Sequence, residues 1–365
     1  MGMAEPILTL DLLPLADACA RVVRVYGTDP CVTLPGTLPA PEGGTLQVTE
    51  LGDYCFSEHA RNLPAADAVY RYAVDADGTA RLTHVHGQPV GGPVSHRYDL
   101  DFGDAAEPGE LHPVVGNFLE ELTLPEGLRL IGSCAFYNCR KLRLLSVGQQ
   151  NLTMGSDVFL NCFELKTLRV RALPEDTTGL FALVNNITEA VQALFWPEAD
   201  AVPCAAFWYP AYWEDIEETP AHILLHTFSG QGYHYRQCFL NNRLLPAEYD
   251  AIFPQGHDAD DTTVMALLCF ARLRYPWQLQ TAAREAYRAF LAAHTDRVLS
   301  TLLNAQDTDA VRDLLALDVF DKESFAAGAA LAAKAENAEV SALLADAEHK
   351  KYAAAKKKQR YDFDF

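Results

Sequence analysis

Apolar and polar residues alternate in three short stretches set 23 residues apart. "LTL" at 122–124, "LSV" at 145–147 and "LRV" at 168–170 each read apolar–polar–apolar, the pattern of a short strand with one buried face. The same interval recurs between "IGSCAFYNCRKL", starting at Ile131, and "MGSDVFLNCFEL", starting at Met154. It superposes Gly132-Ser133 on Gly155-Ser156, Phe136 on Phe159, Asn138 on Asn161, Cys139 on Cys162 and Leu142 on Leu165. A fixed period in the twenties predicts a solenoid, whose stacked copies form a parallel ladder and bury one another's apolar faces. Phe136 and Phe159 are large enough to fill the space between the ladder and the opposite wall. Cys139 and Cys162 fit as small apolar plugs, because a metal site needs closer, convergent ligands.

These residues carry a resemblance. "LTLPEGLRLIGSCAFYNCRKLRLLSV" is similar to the BspA-type leucine-rich repeat, and "NLTMGSDVFLNCFELKTLRV" follows it with apolar changes at Met154 and Val158. An earlier fragment, "VTELGDYCFSEH", places Leu51, Gly52 and Phe56 on the Ile-Gly-Phe positions, and "VVRVYGTDPCVTLPGTL" resembles the strand pair that opens such arrays. "NFLEELTLPEG" supplies the tail of one further copy. The array is short and interrupted between Phe56 and Leu119, where Asp77-Gly78 separates two alternating stretches and predicts a hairpin. An array this short needs its ends covered by flanking segments.

Beyond 172 the period is lost. Residues 173–258 carry much of the aromatic content, expected mainly as core, and "HILLHTFSGQGYHYRQCFLNNRLLP" reads as two strands around Gly-Gln-Gly. From Asp260 the composition turns to alanine, leucine and charge, in short amphipathic helices with Asp and Thr caps. "DAVRDLL" recurs as "AEVSALL" at a shift of 29, from Val311 to Val340. Paired short helices with repeated Leu-Leu resemble degenerate ankyrin repeats, without the usual "TPLH" start. The expected fold class is therefore α+β in several parts: a leucine-rich-repeat β-solenoid over 1–172 with a hairpin insertion at about 59–112, a β-rich connecting segment over 173–258, an all-α ankyrin-like stack over 259–352, and a flexible tail over 353–365.

Charge narrows the partners. Lys and Arg number 29 against 49 Asp and Glu, a net charge of −20, which disfavours non-specific binding to nucleic acid or anionic membranes. No run of about 18 apolar residues predicts a membrane span. The N-terminus lacks a basic region and is interrupted by Glu5, Asp11 and Asp17, so no signal peptide is expected. Nine scattered cysteines without a C-x-x-C pair suit a reducing cytoplasm; a surface or secreted location would require a leader since removed.

Motifs of chemistry are absent: no P-loop, no dinucleotide fingerprint after a strand, no H-E-x-x-H and no G-x-S-x-G. His84 and His86 share a strand face, with His96 as a third candidate, but nothing brings a further ligand to them. "HDADD" at 257–261 reads as the acidic start of a helix. "GYHYRQC" would put His234, Arg236 and Cys238 on one strand face, a half-buried strand before it is a Cys–His pair. No cofactor and no metal is expected. The primary expectation is a non-enzymatic scaffold that binds another protein through the outward ladder positions Glu121, Thr123, Leu144, Ser146, Thr167 and Arg169. The tail residues Tyr361, Phe363 and Phe365 are candidate docking anchors. The alternatives are a small-molecule or metal-binding sensor or enzyme around His226, His234 and Arg236, and an exported adhesion protein, as the resemblance allows.

Overall fold

The structure is a computed structural model. It describes residues 7–59, 64, 68–85, 88–89, 112–149, 151–197, 202–218, 224–255 and 261–361. The chain divides into two compact units, one of residues 1–203 with 239–244, the other of 204–238 with 245–365. The aromatic segment expected over 173–258 is thus shared between them.

The first unit is the solenoid. Its strands are β1 (Leu8–Pro14), β2 (Cys19–Gly27), β3 (Cys31–Thr33), β4 (Thr37–Pro39), β5 (Thr45–Leu51), β6 (Tyr70–Val74), β7 (Ala80–Val85), β8 (Gln88–Pro89), β9 (His112–Pro113), β10 (Glu121–Thr123), β11 (Leu130–Ile131), β12 (Leu144–Val147), β13 (Thr153–Met154), β14 (Thr167–Val170) and β15 (Val191–Phe195), with helix α1 (Leu180–Asn185) before the last. One wall is the parallel ladder β3–β10–β12–β14–β15. Leu122 pairs with Leu145 and Leu145 with Leu168, the register that the 23-residue period demands, and all three are fully buried. The second wall is β2–β5–β11–β13, where Leu51 pairs with Ile131 and Ile131 with Met154.

The earlier fragment is a true coil, although 80 positions separate Phe56 from Phe136. The Phe56, Phe136 and Phe159 rings stack at 5.2 Å per step and lie within 7° of parallel. Cys139 Sγ donates to Phe56 O and Cys162 Sγ to Phe136 O; burial pushes the Cys55 and Cys162 thiols up to about 12 and Cys139 well above its ordinary value. They are packing groups held as neutral thiols. Gly132 and Gly155 have a steric reason: a Cβ there would lie 2.5 Å from Asp53 N and 2.4 Å from Ser133 N. Asn138 and Asn161 adopt left-handed φ of 65° and 66° and share a side-chain hydrogen bond of 2.8 Å, a use of asparagine that its short polar side chain permits.

The described part of the insertion does not stand apart. Its hairpin turns at Asp77-Gly78 as expected, with Gly78 at φ 82°, and β6 pairs antiparallel with both β7 and β1, extending the N-terminal sheet. Arg71 forms a buried bidentate pair with Asp11 at 2.6 and 2.7 Å. Arg24, also buried, donates to the carbonyls of Tyr54, Cys55 and Ser57 and so fixes the turn from which the insertion departs.

The second unit holds strands over 205–209, 213–218 and 224–229 and helices α2 (Gly232–Arg236), α3 (Pro246–Ile252), α4 (Thr262–Arg274), α5 (Thr281–Ala293), α6 (Thr295–Asn304), α7 (Thr308–Ala316), α8 (Lys322–Lys334) and α9 (Ala338–Tyr361). "GYHYRQC" is helical rather than a strand. Gly232 packs so closely on Pro210 that a Cβ would lie 2.0 Å from its carbonyl oxygen, and tertiary packing overrides the β-propensity of the Tyr-rich stretch. Tyr249 centres an aromatic core, 5.0 Å from Phe207, 4.7 Å from Tyr235 and 5.9 Å from Tyr209. Beside it Arg272, fully buried, forms a bidentate pair with Asp250 at 2.8 and 2.7 Å, and Tyr287 donates to the same carboxylate at 2.9 Å.

The helices stack in pairs. α4 packs on α5, α6 on α7 and α8 on α9, while α6 also touches α4 and α8, and α7 touches α9. The structural period is 30, not 29. Gln306 and Glu336 take left-handed φ of 54° and 52°; Asp307 and Asn337 cap with bonds from Ala310 N at 2.9 Å and Val340 N at 3.0 Å. Ala310 and Leu314 then superpose on the equally buried Val340 and Leu344. The shift of 29 sets buried Leu314 on half-buried Leu343 and half-buried Leu315 on buried Leu344.

Candidate interaction face

The outward residues of the ladder form two rows. One runs Cys31, Glu121, Leu144, Thr167, Gln192; the other Thr33, Thr123, Ser146, Arg169, Leu194. The structure brings all six expected contact residues onto this one face, because side chains two apart on a strand point the same way. Their exposure is uneven. Arg169 is exposed, Glu121, Thr123, Leu144 and Thr167 are half-buried, and Ser146 is buried at 2%. Leu144, expected as an exposed apolar contact, is therefore partly covered, and Ser146 cannot be a primary one.

Charge is organised along the face. Arg143, at the start of β12, pairs with Glu121 at 2.7 Å and Glu120 at 3.6 Å. On β14, the Arg169 guanidinium lies over the Trp196 ring, 4.6 Å from its centroid. Arg171 donates to Leu124 O at 2.8 Å, and its Nε is buried without a hydrogen-bond partner. Over 113–172 there are seven Lys and Arg against five Asp and Glu, so this stretch is locally basic within an acidic chain. Cys31 opens the first row, and its thiol is raised by burial and then by Glu121 and Asp29, which disfavours a nucleophilic role.

The alternative site is described only in part. Arg236 is fully buried on α2, donating to Pro210 O and Gly232 O and lying 4.9 Å from the Tyr212 ring centroid, while His234 is exposed. The backbone of His226 pairs with Ile216; its side chain lies outside the described residues. His84 sits in β7, opposite Arg71, whereas His86 and His96 lie outside the described residues. Among the described residues no three His, Cys, Asp or Glu come together as metal ligands, and no helix is long and apolar enough to cross a membrane.

The tail is helical further than expected, with α9 reaching Tyr361. Its base is anchored: Lys351 donates to Phe320 O at 2.6 Å and pairs with Asp318 at 2.7 Å. Phe363 and Phe365 lie outside the described residues. An open groove of about 570 Å³ runs between the first turn of α4 and helices α6 and α8, lined by Thr263, Arg297, Thr301, Ala330 and Lys334 among others. Sequence reasoning missed it, since its walls come from three helices.

Stacked coils between two parallel ladders in the first unit and stacked helix pairs in the second are both repeat-built. Residues 116–191 match the family model described as BspA type Leucine rich repeat region (6 copies). This part of the chain is a BspA-type leucine-rich repeat array. No curated protein and no solved structure matches the chain.

Proposed function

We propose that the protein is a non-enzymatic scaffold that binds another protein through the ladder face of its repeats. The observation that carries this is the ladder itself: two in-register rows of side chains on one face, with Arg169 exposed among them. The leucine-rich repeat match supports the same use by analogy of fold. Nine scattered cysteines without a C-x-x-C pair support a reducing compartment.

Affinity capture of the full chain from its native lysate, followed by mass spectrometry, tests the proposal. The comparison chain is Lys166→Glu with Arg169→Glu, both exposed, in preference to any change at half-buried Leu144. A protein enriched by the parent chain and lost with the variant supports the ladder face as the binding surface. Equal capture by both removes that face from consideration.

A further inference from the structure

We propose that the part of the ladder around β14 is a carboxylate-recognition site, and that the partner it takes is an acidic segment of a protein, read by Arg169. Carboxylate recognition here presupposes that the ladder face binds protein at all.

Three observations converge. First, Arg169 is exposed and no carboxylate pairs with it among the described residues, whereas Arg21, Arg71, Arg81, Arg143, Arg272, Arg274, Arg297 and Arg312 each pair with Asp or Glu. Exposed Arg129, Arg140, Arg243 and Arg284 likewise have no carboxylate partner among the described residues, so what sets Arg169 apart is the ring beneath it. Second, the guanidinium is not loose. Stacking on Trp196 at 4.6 Å restrains the plane of the fork and leaves its edge N–H donors free. A donor held in place loses less entropy on binding than a mobile one, and its paired N–H groups match a carboxylate bidentately. Third, the surroundings favour an anion. Exposed Lys166 and partly buried Arg171 flank the site in sequence, and neither is paired with a carboxylate among the described residues. Arg171 Nη2 is committed to Leu124 O, so its charge contributes potential without competing for the ligand.

The row that contains Arg169 runs on one side to buried Ser146 and half-buried Thr123 and on the other to half-buried Leu194. An extended segment with a few carboxylates suits this strip. A long polyanion does not, because the net charge of −20 opposes it beyond the strip.

Selection of random peptides displayed on phage against the full chain tests the proposal without a known partner. Peptides enriched in Asp and Glu are expected on the parent chain. The acid preference should persist with Arg169→Lys and vanish with Arg169→Glu. A selected peptide should bind Arg169→Glu at least about tenfold more weakly, as expected for loss of a charge-assisted pair. With Trp196→Ala the preference should remain while dissociation quickens. Selected peptides without acidic enrichment, or the same enrichment on Arg169→Glu, would overturn the proposal. A dT20 oligonucleotide competing better than the selected peptide would also overturn it, in favour of plain polyanion attraction. If lysate capture still depends on Lys166 and Arg169 while the peptides show no acid preference, the scaffold role stands and the acidic partner falls. If capture is indifferent to both residues, the two fall together.

Discussion

In the solenoid, each coil is tied to the next by its backbone. Gly132 N donates to Leu51 O, Gly155 N to Ile131 O, Phe136 N to Val158 O and Cys134 N to Ser156 O, while phenylalanine rings stack at the centre. In the helical stack, the backbone hydrogen bonds of the described residues stay within helices and the turns that join them. There the contact between pairs is made by side chains: Gly328 of α8 faces Leu299 of α6 and Leu344 of α9. A stack held by main chain has its spacing fixed to fractions of an ångström. A stack held by leucine tips can yield, because those tips have other rotamers.

The largest break in this comparison should come from Phe136→Ala. The ring is fully buried between two others, and its removal should destabilise the solenoid by about 4 kcal/mol, read from urea unfolding followed by far-ultraviolet circular dichroism. The sharper contrast is between two glycines. Gly132→Ala sets a Cβ 2.5 Å from a backbone nitrogen that hydrogen-bonded neighbours hold, and should cost about 3 kcal/mol. Gly328→Ala sets one 3.0 Å from the Cδ2 of Leu299; the leucine can turn and alanine gains helix propensity, so the net change should stay within about 1 kcal/mol of zero. Equal costs at the two sites would show that both stacks are equally rigid.

Next in size are the caps. Asp307→Ala and Asn337→Ala remove equivalent bonds 30 residues apart and should each cost about 1 kcal/mol. A matched pair of losses in thermal melts would establish the 30-residue repeat energetically, and a loss at one site alone would reduce it to a geometric coincidence. The least effect near neutral pH is electrostatic. Cys55 and Cys162 carry folded-state values raised to about 12 from an ordinary 9.0. Unfolded thiols lose their protons first, so the unfolded state binds fewer protons above pH 9 and stability falls as pH rises from there toward 12. Below pH 9 these groups contribute no slope. Replacing Cys55 and Cys162 together by Val should reduce the decline between pH 9 and 11 in equilibrium unfolding of the solenoid; an unchanged decline would place its origin elsewhere.

Much of the solenoid was legible. The period of 23 gave the partners of Leu122, Leu145 and Leu168, and the Ile-Gly-Phe match at Leu51, Gly52 and Phe56 placed an 80-residue contact correctly. Identical side chains recur there because each coil meets the same environment. The helical repeat was legible in kind but shifted by one residue. "VRDLL" and "VSALL" match in letters, whereas the caps and the buried Ala310–Val340 and Leu314–Leu344 pairs set the register. The candidate site was legible as a face and not in its weighting. Alternation predicts that Leu144 and Ser146 point outward, but not that neighbours on adjacent strands cover them.

By itself the sequence determined the repeat, its two walls, the Phe and Cys positions that fill it, the Asp-Gly hairpin and the change to capped helices near residue 260. Each of these rests on local spacing, which fixes which side chains share a face. Only the tertiary structure decided that "GYHYRQC" is a helix, that Arg71 reaches Asp11, that Arg272, Asp250 and Tyr287 form one buried network, and that Trp196 lies under Arg169. Those partners are 22 to 60 positions apart with no shared period between them. Nothing local distinguishes their pairing from many others until the coils and helices are in place.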